Sequence, residues 1–271
     1  MSILCLLGIS LLAHAENASN RTISAGGSIT EIMYALGLQE QIIAVDSSSY
    51  FPAEVRNKPQ VGYFRRLSAE GVLSNRPTRV VAANGAGPDE ALQQIKAAGV
   101  EVKIFTQEIY TLDAWKAYLR EIGGYFGKKA EANGIINRVE ARLSQLTADQ
   151  EDSGKTAIFL MDVGDRGPVA AGYDTVPDML FNLAGLDNIV DDYDGFKPFS
   201  AEQLISIQPD LIVMPSHVVA KMGGAEHICK IHVIAMSTAR NGCQLLVMDA
   251  LLALGYGTRI DEAVEVLLNH E

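Results

Sequence analysis

Tyr63 and Arg65 stand two residues apart in the run Gly-Tyr-Phe-Arg-Arg, residues 62–66. A phenolate is a hard oxygen donor that suits ferric iron. A free phenol gives up its proton only at about pH 10. Metal binding near neutral pH therefore leans on the charge of the metal and on a nearby cation. In an extended loop, side chains two apart point to the same side, which sets the Arg65 guanidinium beside the Tyr63 oxygen. Arg66 then faces away and is solvated. The same residues also fit an ordinary surface tyrosine next to two solvated arginines, and residue chemistry alone leaves both readings open.

Other candidates carry less information. Tyr50 opens a Tyr-Phe-Pro run after a predicted strand over residues 42–45, at the carboxyl edge of a sheet, where ligand sites form. It suits either a flat ligand or core filling. His217 follows a predicted strand over 211–214 in the same way. His227 and His232 lie near Cys229, but a structural zinc site would need better spacing and a fourth ligand. Cys229 and Cys243 can pair in an oxidising compartment or serve as two small core residues. Gly26-Gly27-Ser28 is not GxGxxG, and the glycines at 85 and 87 lack the third glycine and the helix start, so a dinucleotide site is poorly supported. There is no GxSxG elbow of a hydrolase.

The elements that must position these residues come in two copies. Residues 67–81, LSAEGVLSNRPTRVV, resemble residues 199–213, FSAEQLISIQPDLIV. In each copy a serine, Ser68 or Ser200, is placed to cap a short helix, with Glu70 or Glu202 in its first turn, where the helix dipole favours an anion. Pro77 or Pro209 ends that helix, and a β-branched run, 79–83 or 211–214, reads as a buried parallel strand. A weaker echo lies upstream: residues 30–38 and 177–186 both read as amphipathic helices closed by glycine. Strands alternating with helices imply two α/β lobes with parallel sheets. Between them, residues 112–146 carry apolar side chains near a 3.6 period. They read as one long helix, with Gly123, Gly124 and Gly134 as points of bending. The expected organisation is an export signal over 1–15, an N-terminal α/β lobe over 20–110, a connecting long helix over 111–148 and a C-terminal α/β lobe over 153–271. Two lobes on such a strut leave a cleft, the usual place for a ligand.

Composition narrows the function classes. Apolar residues make up 48% of the 271, so each lobe can build a core. Residues 3–12 are mostly apolar, and Ala13-His14-Ala15 fits a signal-peptidase site; a buried first helix is the alternative. The run is shorter than the roughly 20 residues of a membrane span, and no cysteine follows it to take a lipid. A net charge of −11 with no basic stripe argues against nucleic-acid binding.

With these residues in hand, the chain resembles the periplasmic binding proteins of metal-chelate importers, which serve haem, siderophores and cobalamin. Residues 61–74, VGYFRRLSAEGVLS, are similar to the signature of the haem-binding branch, and Met248-Asp249 with residues 254–259, LGYGTR, resemble its C-terminal end. The resemblance implies two Rossmann-like lobes joined by a single long backbone helix. It implies a periplasmic, monomeric carrier, not an enzyme, with haem as its transported ligand and an ABC importer permease as its partner. It makes Tyr63 the axial ligand of the haem iron. It makes Arg65 the cation beside that ligand or a partner of a haem propionate, and leaves Arg66 a weaker propionate contact. It makes Glu70 and Glu202 the carboxylates that dock on permease arginines; His217, by its place at the sheet edge rather than by the resemblance, is a candidate distal contact. The sequence departs from the branch at Asp178, where some relatives carry a histidine that helps hold a second haem; Tyr173 is the nearby substitute. A siderophore or cobalamin carrier of the same fold is the alternative, and a secreted α/β enzyme the more distant one.

Overall fold

A computed structural model describes residues 20–148, 154–164 and 167–270. The candidate export signal lies outside these residues, as do residues 149–153. Among the described residues no helix is long and apolar enough to cross a membrane. The chain divides into two compact units. One holds the residues up to Glu108 together with Glu121–Ala132; the other holds Ile109–Arg120 and the residues from Asn133 on.

In the first lobe four short strands, β1 (Thr22–Ala25), β2 (Ile42–Val45), β3 (Arg79–Ala83) and β4 (Glu101–Phe105), form an all-parallel sheet in the order β2-β1-β3-β4. Parallel pairing requires helical crossovers, which cover both faces and make the strands apolar throughout. β1 is buried along its whole length and β3 from Val80 onward. The crossovers include α1 (Gly27–Ala35), α2 (Ala69–Leu73) and α3 (Asp89–Ala97). Ile23, Val72, Val80, Leu92 and Ile95 join in one core.

The predicted single helix over 112–146 is two helices, α4 (Leu112–Tyr125) and α5 (Lys129–Leu146). The break has a local cause. Gly127 takes φ +68°, and the Lys128 N–H turns back to the Gly123 carbonyl at 2.6 Å, which closes the first helix as a Schellman-type cap. A side chain at Gly123 would strike the Ala132 methyl of the second helix at 2.5 Å. The two helices run back along each other, and Lys116 bridges to Glu140 at 2.8 Å. Gly123, expected only to bend one helix, thus lets two helices pack, and Gly127, not among the expected bending points, makes the turn between them.

The second lobe departs from an all-parallel sheet. Its strands are β5 (Thr156–Asp162), β6 (Val169–Ala171), β7 (Asp187–Asn188), β8 (Phe196–Pro198), β9 (Leu211–Pro215) and β10 (Leu245–Met248), in the order β10-β9-β5-β6-β8 with β7 beside β5. β10, β9, β5 and β7 pair in parallel, whereas β6 runs antiparallel to both β5 and β8. The helices here are α6 (Val176–Leu183), α7 (Ala201–Ile207), α8 (Ser216–Lys221), α9 (Ala225–Lys230), α10 (His232–Ser237), α11 (Ala250–Leu254) and α12 (Ile260–Leu268). Cys229 and Cys243 form a disulfide, Cα atoms 5.8 Å apart, closing 14 residues of chain. This resolves the cysteine alternatives in favour of pairing and takes Cys229 away from any metal role beside His227 and His232.

The duplicated features hold at atomic level. Ser68 Oγ accepts the Gly71 N–H at 3.3 Å, and Ser200 Oγ accepts the Gln203 N–H at 3.3 Å. The upstream helices end alike, with the Leu38 N–H on the Met33 carbonyl and the Leu186 N–H on the Phe181 carbonyl. Both begin ahead of their expected starts: α1 at Gly27 rather than residue 30, and α6 at Val176, capped by Thr175. The LGYGTR segment is a docking strip within the second unit. The Gly257 carbonyl accepts the Trp115 indole N–H at 2.8 Å, the Thr258 carbonyl accepts Arg138 at 2.6 Å, and Tyr256 meets Tyr118 edge-on at 5.2 Å.

Candidate functional site

The carboxyl ends of β1, β2 and β3 carry three loops of the first lobe, which meet around Tyr63. Tyr63 itself is 43% exposed, a high value for a large aromatic side chain in a folded lobe. Its backbone is extended (φ −85°, ψ 133°), and a 3-10 turn, Phe64–Arg66, follows. The peptide before Tyr63 is held by the Ser47 N–H, which donates to the Gly62 carbonyl at 2.8 Å. The peptide after it is held by the Phe64 N–H, which donates to Asp46 Oδ2 at 3.2 Å. The turn is clamped from the other side as well. The Gly87 N–H donates to the Phe64 carbonyl at 3.0 Å, and the Leu67 N–H donates to the Gly87 carbonyl at 2.7 Å.

Arg65 is exposed, but its side chain is ordered against its neighbours. Its guanidinium carbon lies 4.9 Å from the centre of the Phe64 ring, and Phe64 meets Tyr63 edge-on at 4.9 Å. Gly85 makes room for it: a side chain there would come within 2.3 Å of the Arg65 Nη1. Aromatic stacking of this kind pre-orders a guanidinium without neutralising it. The result is an exposed phenol and a positioned cation on one short, doubly clamped loop. Arg66 is exposed beside them.

The centre of the clamp is Asp46, which the sequence reading did not single out. It is fully buried. Its Oδ1 accepts the Gly26 N–H at 2.9 Å and the Ser49 hydroxyl at 2.6 Å; its Oδ2 accepts the Ser48 N–H at 3.0 Å, the Ser48 hydroxyl at 2.7 Å and the Phe64 N–H. A hydroxyl chain runs on from Ser49 through Thr30 to Ser24, at 2.7 Å each step. In sequence Asp46 heads an Asp-Ser-Ser-Ser run that reads as an ordinary turn. The one available signal is that so polar a run directly follows a buried strand.

The remaining candidates lie on other elements of the two lobes. Tyr50 is half-buried in the loop after β2 and lies under Arg56, 5.8 Å from ring centre to guanidinium, with the Arg56 Nε donating to its carbonyl. In the second lobe, Tyr173 is 45% exposed, and its backbone pairs with Tyr193 and Gly195. His217 is exposed in the first turn of α8, just past the end of β9. Asp178 is engaged within the lobe: it accepts Asn188 Nδ2 at 2.9 Å, and burial pushes its carboxyl above the usual range. Glu70 and Glu202 are both exposed in the first turns of α2 and α7. Among the described residues no group of His, Cys, Asp and Glu gathers as a metal cluster. An oxygen donor from tyrosine is thus the candidate metal ligand that the first lobe offers.

The fold and the sequence place the chain in a known group: it belongs to the periplasmic binding protein family, whose model matches residues 23–242. It is similar to the periplasmic heme-binding protein RhuT from Roseiflexus sp. RS-1, at 34% identity and a TM-score of 0.82, covering 92% of this chain and 97% of that one. It is similar to the periplasmic heme-binding protein HutB of Vibrio cholerae, at 30% identity and a TM-score of 0.82 over the same shares. It is also 27% identical to the vitamin B12-binding protein of Pectobacterium carotovorum, over 77% of this chain and 76% of that protein.

Proposed function

We propose that the protein is a periplasmic carrier that captures haem through Tyr63 and delivers it to the permease of an ABC importer. The observation that carries this reading is the exposed Tyr63 phenol, held on a clamped loop beside the stacked Arg65. A phenolate is an axial donor that haem iron accepts, and the Arg65 guanidinium is stacked on Phe64, the residue that follows Tyr63. The same guanidinium suits a propionate. Haem here is cargo, and the chain's part is to bind and release it rather than to transform it. The similarity to RhuT and HutB supports the choice of cargo.

Glu70 and Glu202 are the docking carboxylates in this reading. They occupy equivalent first turns behind equivalent serine caps. Paired anions of this kind fix register and encounter rate on a partner with complementary cations. Tyr50, His217 and Tyr173 are secondary ligand contacts. Asp178 is not among them, because its carboxylate is already bonded to Asn188.

Cobalamin is the second reading, favoured by the similarity to the vitamin B12-binding protein. Parallel titrations separate the two. With hemin, the haem reading expects a shifted Soret band and high-spin ferric charge-transfer bands, both lost in Tyr63→Phe. Binding of cyanocobalamin with no spectral response to hemin would replace haem by cobalamin. For the docking pair, Glu70→Ala with Glu202→Ala should leave hemin affinity unchanged and abolish uptake through the reconstituted importer.

A further inference from the structure

We infer that Asp46 is the positioning residue of the site: it sets the aim of Tyr63 by holding the peptide that follows it and by anchoring the turn whose Ser47 N–H holds the peptide before it. The side chain of a loop tyrosine can sample a wide arc, because both flanking peptide planes normally rotate. Here neither is free. The plane between residues 62 and 63 is held by the Ser47 N–H on the Gly62 carbonyl, and the plane between 63 and 64 by the Phe64 N–H on Asp46 Oδ2. Both holds come from the same turn, residues 46–47. Only the side-chain torsions then remain to aim the phenol.

Asp46 in turn is fixed from three elements. Gly26 reaches it from the end of β1, Ser48 and Ser49 from its own turn, and Phe64 from the tyrosine loop. Charge-assisted hydrogen bonds to a buried carboxylate are stronger than neutral ones. A buried carboxylate whose donors all converge on it selects one geometry, whereas removing its charge weakens every one of those bonds at once in a low dielectric. The second lobe offers a natural contrast. At the offset that aligns Ser68 with Ser200, Tyr63 falls on Gly195 and Phe64 on Phe196, and Phe196 pairs in an ordinary antiparallel strand. The carboxylate tether belongs to the lobe that carries the phenol.

The tether stands on the structure; its consequence for the cargo rests on the haem reading. The test compares Asp46→Asn, which keeps the shape and removes the charge, with Thr30→Val, which breaks the adjoining hydroxyl chain two hydrogen bonds away from Asp46. The first readout needs no ligand: the rate of trypsin cleavage after Arg65 and Arg66, both exposed on the loop. Asp46→Asn should raise that rate about tenfold or more, as expected for a local opening made easier, with Thr30→Val near wild type. The second readout is hemin titration. Asp46→Asn should bind about 10–100-fold more weakly, the usual effect of losing a ligand's support, with altered charge-transfer bands. A folded Asp46→Asn protein with wild-type cleavage and wild-type hemin spectra overturns the inference, as does a Thr30→Val protein that reproduces both effects. Should Asp46→Asn not fold, hydrogen exchange of the Phe64 amide in the wild-type chain decides: slow exchange supports the tether and solvent-rate exchange overturns it. Faster cleavage in Asp46→Asn, with Tyr63→Phe still binding hemin like wild type, removes the haem reading while supporting the tether.

Discussion

Ser68 and Ser200 cap their helices with bonds of the same length, and Glu70 and Glu202 sit in the same first turns. Just upstream of those caps the two lobes part. In the first lobe the segment is a 3-10 turn that presents Tyr63, with Arg65 stacked on Phe64. In the second it is β8, paired antiparallel with β6, and Lys197, which aligns with Arg65, is drawn to Asp194 at 2.7 Å. A duplicated frame thus keeps its helix starts while the segment ahead of one start becomes a turn with an exposed tyrosine. The polar interior follows the same division. The first lobe buries a carboxylate that organises a loop, whereas the second is cross-linked by a disulfide.

The largest effect that would break this comparison is in the ligand. Tyr63→Phe should weaken hemin binding about a thousandfold, roughly 4 kcal/mol, while Tyr173→Phe in the second lobe, at a secondary contact, should cost less than about tenfold, under roughly 1.4 kcal/mol. Equal losses by titration would mean that the lobes share the ligand evenly. The next effect is in stability. Cys229→Ser should cost about 3 kcal/mol, as expected for opening a loop of this size. Hydrogen exchange should place that loss in the second lobe and leave β1–β4 protected.

Alkaline pH sharpens the contrast further. Burial, with help from the charge of Asp192, pushes the Tyr193 phenol up to about 12. A raised folded value means that its contribution is intact below the unfolded value of about 10 and is lost as pH climbs toward 12. Denaturant melts of the second lobe should therefore weaken across that window, and Tyr193→Phe should flatten the decline. The smallest effect tests the sameness rather than the difference. Ser68→Ala and Ser200→Ala should each cost about 1 kcal/mol, with matching shifts in the denaturation midpoint; a wide gap between them would undo the equivalence of the two caps.

The sequence was most legible where local rules decide. β2 and β3 match their expected spans because short β-branched runs between turn residues have few alternatives. The two serine caps and their acidic first turns were legible for the same reason. The break at residues 126–128 was not, because an apolar period of 3.6 continues across it; the turn is made by Gly127 and by the close packing of Gly123 on Ala132. The antiparallel β6–β8 pair was hidden because β8 is three exposed residues with no periodic signal. Asp46 was hidden because its partners, Gly26 and Phe64, lie 20 and 18 residues away in sequence. Tyr63 and Arg65 could be read as candidates, but the stack on Phe64 and the clamp around the loop belong to the fold.

A crystal structure of the protein grown with hemin tests the central claim most directly. The account predicts the Tyr63 phenol oxygen bonded to the iron, with residues 62–66 unchanged in backbone and still hydrogen-bonded to Asp46 and Ser47. An iron ligated by another side chain, with the Tyr63 oxygen turned away from it, would contradict the account.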